Sequence, residues 1–553
     1  MKLTKITAMV AAIATAAGLG AVAASSASAE VQTGSATITL NATSADQLTG
    51  HTFKVVKVAS YDVYGTAPNQ SVTLKTEEGL KTDIADYLKY PGNGDPLAWA
   101  QQQDKAKLDQ STVSPWLGDG TTRGLADKLA SKATTDITPT LSGDNKQAKF
   151  TLTSPGLWLI VDQAATGKSS KALPILAGTP LTINNNKVYS DGQIAMKNQT
   201  ASVGKTVTDQ TVQAGQDASY KITTTVPNYV GYKVKGYQFT VSDKFADDAP
   251  LSYKANTLTV KIGDQALTQG TDYTVTGFDP TSKTFTIDLS AYIKAQGFGT
   301  SAPVDDSKFT NDKLVGKNVT VEYKATVTGS TGNTGVANTP TIRYPNDPSN
   351  NESKQEVPGT PVKVFNFDYT LVKKDKTTGA ALEGAKFAIK NANGKYLAYT
   401  LNADGDGKWS TLDAKPDADA TSGVFTTGED GKVKFPALDE GKYTIEEIAT
   451  PTGYVNVGVS FNFTIKANLT GTGADQTANP TYTIDTDSAS SDHWGLVSNG
   501  STAEVVVENV KSITQLPLTG AAGTVLFTVV AALLISAGVT VGVVKSRKAS
   551  TIA

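Results

Sequence analysis

The sequence predicts an all-β chain of tandem β-sandwich domains, bracketed by two apolar segments. Three observations carry that reading. Short runs alternate polar and apolar residues with a period of two, as in Ala36-Thr37-Ile38-Thr39-Leu40 and Phe461-Asn462-Phe463-Thr464-Ile465. Such alternation turns one face to a core and the other to water, as half-buried strands require. Gly, Asn, Asp and Pro punctuate the runs at roughly the 8 to 12 residue spacing of sandwich strands. Helical periodicity is confined to a region near the N-terminus.

Taken in order, the chain opens with Lys2 and Lys5 ahead of an apolar run that starts at Ile6. Ala27-Ser28-Ala29 then has the small-x-small form of an export cleavage site, with Ala27 and Ala29 as its small residues, so 1–29 reads as a removed signal peptide. A first domain, 30–196, mixes strands such as Lys149–Thr153 with helix-like pieces at Glu77–Leu88, Pro96–Leu108 and Arg123–Ser131. It is therefore expected to be a β-fold with helical insertions. A second domain, 197–361, contains alternating runs such as Lys317–Tyr323. It closes in the turn-rich Asn346–Asn351 and the Pro358–Pro361 segment. A third, 362–512, is again strand-like. Residues 513–553 hold Leu516-Pro517-Leu518-Thr519-Gly520, an apolar stretch from Ala521 to Val544, and the basic Lys545, Arg547 and Lys548. That stretch exceeds the roughly 20 residues a helix needs to cross about 30 Å of hydrocarbon. The cations behind it belong on the cytoplasmic side, leaving everything before it outside.

Composition narrows the function. Fifty Lys and Arg nearly balance 52 Asp and Glu, so no basic field exists to attract nucleic acid. Cysteine is absent, although disulfides are the usual covalent staple of exported domains. With two histidines, His51 and His493, far apart in sequence, little remains for a thiol or Ser-His nucleophile or a His-rich zinc site. Both histidines read as packing or surface residues. No enzymatic activity, cofactor or metal is expected. Asn402-Ala403-Asp404-Gly405-Asp406-Gly407 with Asp413 imitates a calcium loop, but flanking helices and the bidentate Glu are missing, so it reads as a strand connection.

Leu516-Pro517-Leu518-Thr519-Gly520, followed by an apolar span and a basic tail, resembles the sorting signal of Gram-positive surface proteins. The resemblance implies that a sortase cuts between Thr519 and Gly520 and joins the new carboxyl to an amine. In the third domain, Thr370–Asp375, Thr378-Gly379 and Leu382–Phe387 resemble the opening of a collagen-adhesin B-type domain. Gly441–Glu447 with Pro451-Thr452-Gly453-Tyr454 is similar to that family's E-box, and Ala503–Asn509 to its closing strand. The resemblance implies an intramolecular isopeptide bond, with Lys373 as nucleophile, Asn509 as electrophile and Glu447 as promoting acid. Lys374, the rival lysine, belongs on the opposite strand face.

The residue types suit the chemistry. An ammonium cannot attack, and burial lowers a lysine pKa toward the neutral amine. A carboxyl kept protonated by the same burial can polarise the amide and carry the proton as ammonia leaves. The second domain offers a similar trio, Lys205, Asp243 and Asn338, whose layout resembles the middle, immunoglobulin-like domain of Gram-positive shaft pilins. At the junction before it, Val188–Thr200 resembles the pilin motif, with Ala195-Met196 where the family has Tyr-Pro and Val188 at its Trp position. That resemblance makes Lys197 the acceptor of the next subunit's Thr519, with Lys187 as rival.

As a whole the chain resembles the major subunit of a sortase-assembled pilus, a surface fimbria anchored in the peptidoglycan wall and serving adhesion. Implied partners are polymerising and wall-anchoring sortases, further copies of the same chain, accessory pilins, peptidoglycan, and receptors on host or bacterial surfaces. The alternative is a wall-anchored adhesin that does not polymerise and binds a host matrix protein or glycan.

Overall fold

The computed structural model describes residues 30–101, 121–163, 170–183, 187–188, 190–196, 198, 201–298, 307–309, 311–485, 491–499 and 503–516. The expectations at Ala27, Ala29, Lys197, Pro517, Leu518, Thr519, Gly520 and the apolar span 521–544 lie outside these residues. Among the described residues no helix is long and apolar enough to cross a membrane.

Strands dominate and form three successive pairs of sheets. In the first pair, the long strand Phe53–Tyr64 lies between Leu157–Asp162 and short partners including Ser71–Thr76. The facing sheet runs Gln193–Ala195, Ala36–Asn41, Gln147–Leu152, Thr140–Leu141, the first two parallel. Ile38, Leu40, Phe150 and Leu152 meet Phe53, Val55, Trp158 and Ile160 between the sheets. The other face of the long sheet packs on helices through Val58, Leu159, Ile84, Leu97, Leu125 and Leu129. Cover on both sides explains why every residue of Leu157–Asp162 is buried, a pattern that alternation alone does not announce.

The helical insertions are present with shifted bounds. Lys81–Leu88 follows a 3-10 turn at Glu78–Leu80, Pro96–Gln101 is helical while the expectation over 102–108 lies outside the described residues, and Thr121–Leu129 leads into a 3-10 turn.

The second pair sets Val203–Val207, Asp217–Thr225, Asn318–Val327, Leu251–Ile262 and Gln265–Leu267 against a sheet centred on Thr240–Phe245 and Val336–Pro345. Strict alternation along Asn318–Val327 buries Val319, Val321, Tyr323, Ala325 and Val327. One helix here, Ser290–Phe298, was not expected from the sequence; Asp288 accepts from the Ser290 amide at its start. The strand Val362–Val364, which the sequence reading assigns to the third domain, pairs with Val336–Asn338 of the second.

The third pair opposes a four-stranded sheet, Lys432–Leu438, Phe367–Asp375, Glu504–Asn509, Val497–Asn499, to a seven-stranded one containing Lys386–Asn391, Gly441–Ala449 and Ser460–Lys466. Phe367–Asp375 and Glu504–Asn509 run parallel side by side, so the two ends of this domain meet in one sheet. Residues 402–406 form the turn of a hairpin whose strands pair through Leu401 and Gly407.

Candidate functional site

Two buried lysines, each beside an acid and an asparagine, are the sites that the folding of the second and third sandwiches creates. In the third, the parallel register sets Lys373 opposite Val507 and Asp375 opposite Asn509. Lys373 and Asn509 are thus two positions apart on neighbouring strands and share the inward face. Glu447 reaches the pair from Gly441–Ala449 in the opposing sheet. Lys373, Glu447 and Asn509 are all buried, whereas Lys374 is half-buried on the other face. The Lys373 ammonium lies 3.2 Å from Glu447 Oε1, and Asn509 Nδ2 donates to the same oxygen at 2.9 Å. Lys373 Nζ also donates to the Glu508 carbonyl at 3.3 Å and lies 5.6 Å from the Phe387 ring centre. Glu447 Oε2 and Asn509 Oδ1 are buried without a hydrogen-bond partner.

Burial sets the electrostatics. It pulls Lys373 down from 10.5 to about 8, against the opposing pull of Glu447, and it pushes the Glu447 carboxyl above its ordinary range. Both shifts favour the neutral pair.

The second sandwich reaches the same chemistry by another route. Asp243 and Asn338 lie on paired strands, with Phe245 opposite Asn338, and Lys205 faces them from the other sheet. Here acid and amide share a sheet; in the third domain amine and amide do. Lys205 Nζ lies 2.6 Å from each Asp243 oxygen and donates to the Tyr323 hydroxyl at 2.8 Å. Tyr323 donates to Asp243 and accepts from Asn338 Nδ2 at 2.6 Å. Nζ lies 4.6 Å from the Tyr220 ring centre and 5.2 Å from that of Tyr323. Asn338 Oδ1 is buried with no partner. Desolvation lowers Lys205 to about 8, raises Asp243, and holds the Tyr323 hydroxyl far above the usual phenol value.

Tyr323 is absent from the sequence-predicted trio. Its only sequence signal is its inward phase in the period-two run Val319-Val321-Tyr323-Ala325, which any core residue shares.

No third such cluster occurs among the described residues of 30–196, where no lysine is buried. Instead His51 Nδ1 lies 2.7 Å from Asp162 Oδ2, both side chains fully buried. The two residues stand 111 positions apart, and nothing local pairs them. His51 is thus a buried partner of a carboxylate rather than a surface residue.

At the seam between the first two sandwiches, the residues flanking position 197 are tied down on both sides. The Met196 amide donates to the Asn41 carbonyl at 2.7 Å. Asn198 Nδ2 donates to the carbonyls of Gln47 at 2.9 Å and Ser170 at 3.1 Å, and Gln47 Nε2 donates back to the Asn198 carbonyl. Lys197 itself and the side chain of Lys187 lie outside the described residues.

Residues 367–478 match a family model described as a prealbumin-like fold domain, and 508–550 match the LPXTG cell wall anchor motif. The chain is 24% identical over 528 residues to the fimbrial subunit type 1 of Actinomyces viscosus, covering 87% of this chain and 91% of that one. It is 26% identical over 439 residues to the fimbrial subunit type 2 of Actinomyces naeslundii, covering 71% of each. Among solved structures it is similar to a backbone pilin of Streptococcus pyogenes, with 16% identity and a TM-score of 0.49, covering 87% of this chain and 99% of that one.

Proposed function

We propose, from the premise that this chain is a secreted, wall-anchored subunit of a Gram-positive pilus, that it is the covalent shaft of that pilus and cross-links its own domains. The observation that carries the reading is the recurrence, in two sandwiches of different strand arrangement, of a buried lysine and a buried asparagine bridged by a buried acid, directly in the third and together with Tyr323 in the second.

The chemistry follows from the contacts. A proton leaving the lysine for the carboxylate converts a costly buried ion pair into an amine and a carboxylic acid. The neutral Nζ attacks the asparagine Cγ, the Cγ–Nδ2 bond breaks, and the amine's proton passes through the acid to the departing nitrogen, which leaves as ammonia. A protonated Glu447 also supplies a donor where Glu447 Oε2 and Asn509 Oδ1 otherwise form two acceptors without one. Close packing holds the reactants, so a single slow turnover suffices.

Intact mass tests this. The exported chain is expected about 34 Da lighter than its sequence, one ammonia per bond. Asp243→Asn and Glu447→Gln should each restore about half of that deficit. An unshifted wild-type mass removes the cross-link reading.

Tyr323 refines it. Its hydroxyl touches amine, acid and amide of the second site together, so Tyr323→Phe should slow closure without preventing folding. Freshly purified variant should show two species about 17 Da apart that converge over hours; immediate complete closure would make the hydroxyl a bystander.

Outside the domains, a sortase is proposed to form a thioester with the Thr519 carbonyl and pass it to Lys197 of the next subunit. That contact is heterologous and does not close, so it builds a filament.

A further inference from the structure

The chain between the last strand of the third sandwich and the sorting pentapeptide does not run free. Ser512 caps a single 3-10 turn, Ile513–Gln515, in which Gln515 Oε1 accepts from the amides of Lys511 at 2.7 Å and Ser512 at 3.1 Å. Gln515 Nε2 then donates to Thr377 Oγ1 at 2.9 Å, tying the turn to the loop after Phe367–Asp375. A second tie lies just upstream. Lys511 Nζ is 3.5 Å from Asp375 Oδ2 and 5.5 Å from the Tyr454 ring centre, and the Tyr454 hydroxyl donates to the same Asp375 oxygen at 2.7 Å. The turn exposes Ile513, 41% accessible, and buries Leu516, 4% accessible, in the core that holds Phe367 and Val510. The Leu516 amide is held by the Ile513 carbonyl at 3.2 Å.

Leu516 is the first residue of the pentapeptide. A transpeptidase that cuts between Thr519 and Gly520 must seat the pentapeptide in its own cleft, and a leucine inside a domain core cannot be seated there. We infer that the third sandwich withholds its own sorting signal: Leu516 is a core residue of the folded domain, and it must be undocked before the signal can be read. The inference rests on the proposed reading of the pentapeptide as a sortase substrate. An enzyme that binds only the undocked fraction sees an apparent affinity reduced by that fraction, so docking raises KM and leaves kcat unchanged.

The test compares wild-type chain, Thr377→Val and a free peptide spanning 511–522 as substrates of a Leu-Pro-x-Thr-Gly-specific sortase, with hydrogen exchange at the Leu516 amide read in parallel. Thr377→Val removes the hydroxyl that holds Gln515 and keeps the shape. It should lower KM about tenfold toward the peptide value at constant kcat, and speed Leu516 exchange by a similar factor. Gln515→Met, which removes the same tie from the side of the turn, serves as the second variant should Thr377→Val misfold. Equal KM for wild type and variants, or Leu516 exchange in wild type as fast as in the peptide, overturns the docking. A protected Leu516 amide with neither protein nor peptide cleaved instead overturns the sortase reading, and with it the gating, while the docked leucine stands.

Discussion

Replacing Asn509 by alanine is expected to lower the stability of the third sandwich by about 5 kcal/mol, the chain-entropy value for opening a loop as long as Lys373 to Asn509. For a unit of this size that is a fall of about 10–20 °C in Tm. The variant should also acquire a pH dependence that the cross-linked protein lacks. With no amide to attack, Lys373 keeps a free amine in a site where burial holds it near 8 rather than 10.5. Between those values the unfolded chain binds the proton and the folded chain does not, so folding becomes more favourable as pH rises through that window. In the cross-linked protein Nζ is part of an amide and carries no titrating proton. Thermal unfolding of both proteins at pH 7.5, 9 and 10.5 checks both statements. A variant that melts with the wild type at every pH would mean that no bond joins Lys373 to Asn509.

The second large effect concerns assembly. Lys197→Ala should abolish the covalent ladder that boiled, detergent-treated wall extracts of a polymerising pilin display, leaving a single anchored band. Lys187→Ala should leave the ladder intact. The backbone on either side of position 197 is held by the Met196–Asn41 and Gln47–Asn198 bonds, which the substitution leaves in place. A single band in wild-type wall extract would favour the adhesin that does not polymerise, and a ladder surviving Lys197→Ala would move the acceptor elsewhere.

Much of this was legible in the residues because it is local. Alternation marks Asn318–Val327 and Ser460–Lys466 as strands and states which side chains share a face; it puts Lys373 and Lys374 on opposite faces, while the motif chose Lys373 as the inward one. It fails where both faces are covered, as at Leu157–Asp162, since a strand with two dry faces has no alternation to display. The helix Ser290–Phe298 escaped notice for a related reason: it is short and flanked by strong strand patterns, so its period never accumulates over enough turns.

The trios were found by motif, and their weak points are those of motif reading. Tyr323 shares a phase with four aliphatic neighbours, and its hydroxyl gains meaning only when Lys205, Asp243 and Asn338 arrive from other strands. The His51–Asp162 pair and the Gln47–Asn198 exchange each join residues more than a hundred positions apart with no intervening pattern.

By itself the sequence determined the wall-anchor motif, the all-β class, and the kinds of residue available for amide chemistry, because each of these is written in composition or in short-range pattern. Tertiary structure alone decided which sheet supplies each amine, acid and amide, that a phenol joins one site, and that Leu516 lies in a core. Strand period specifies the face a side chain occupies but not the strand beside it or the sheet across from it. The desolvation that lowers Lys205 and Lys373 to about 8 exists only once those partners have closed over them.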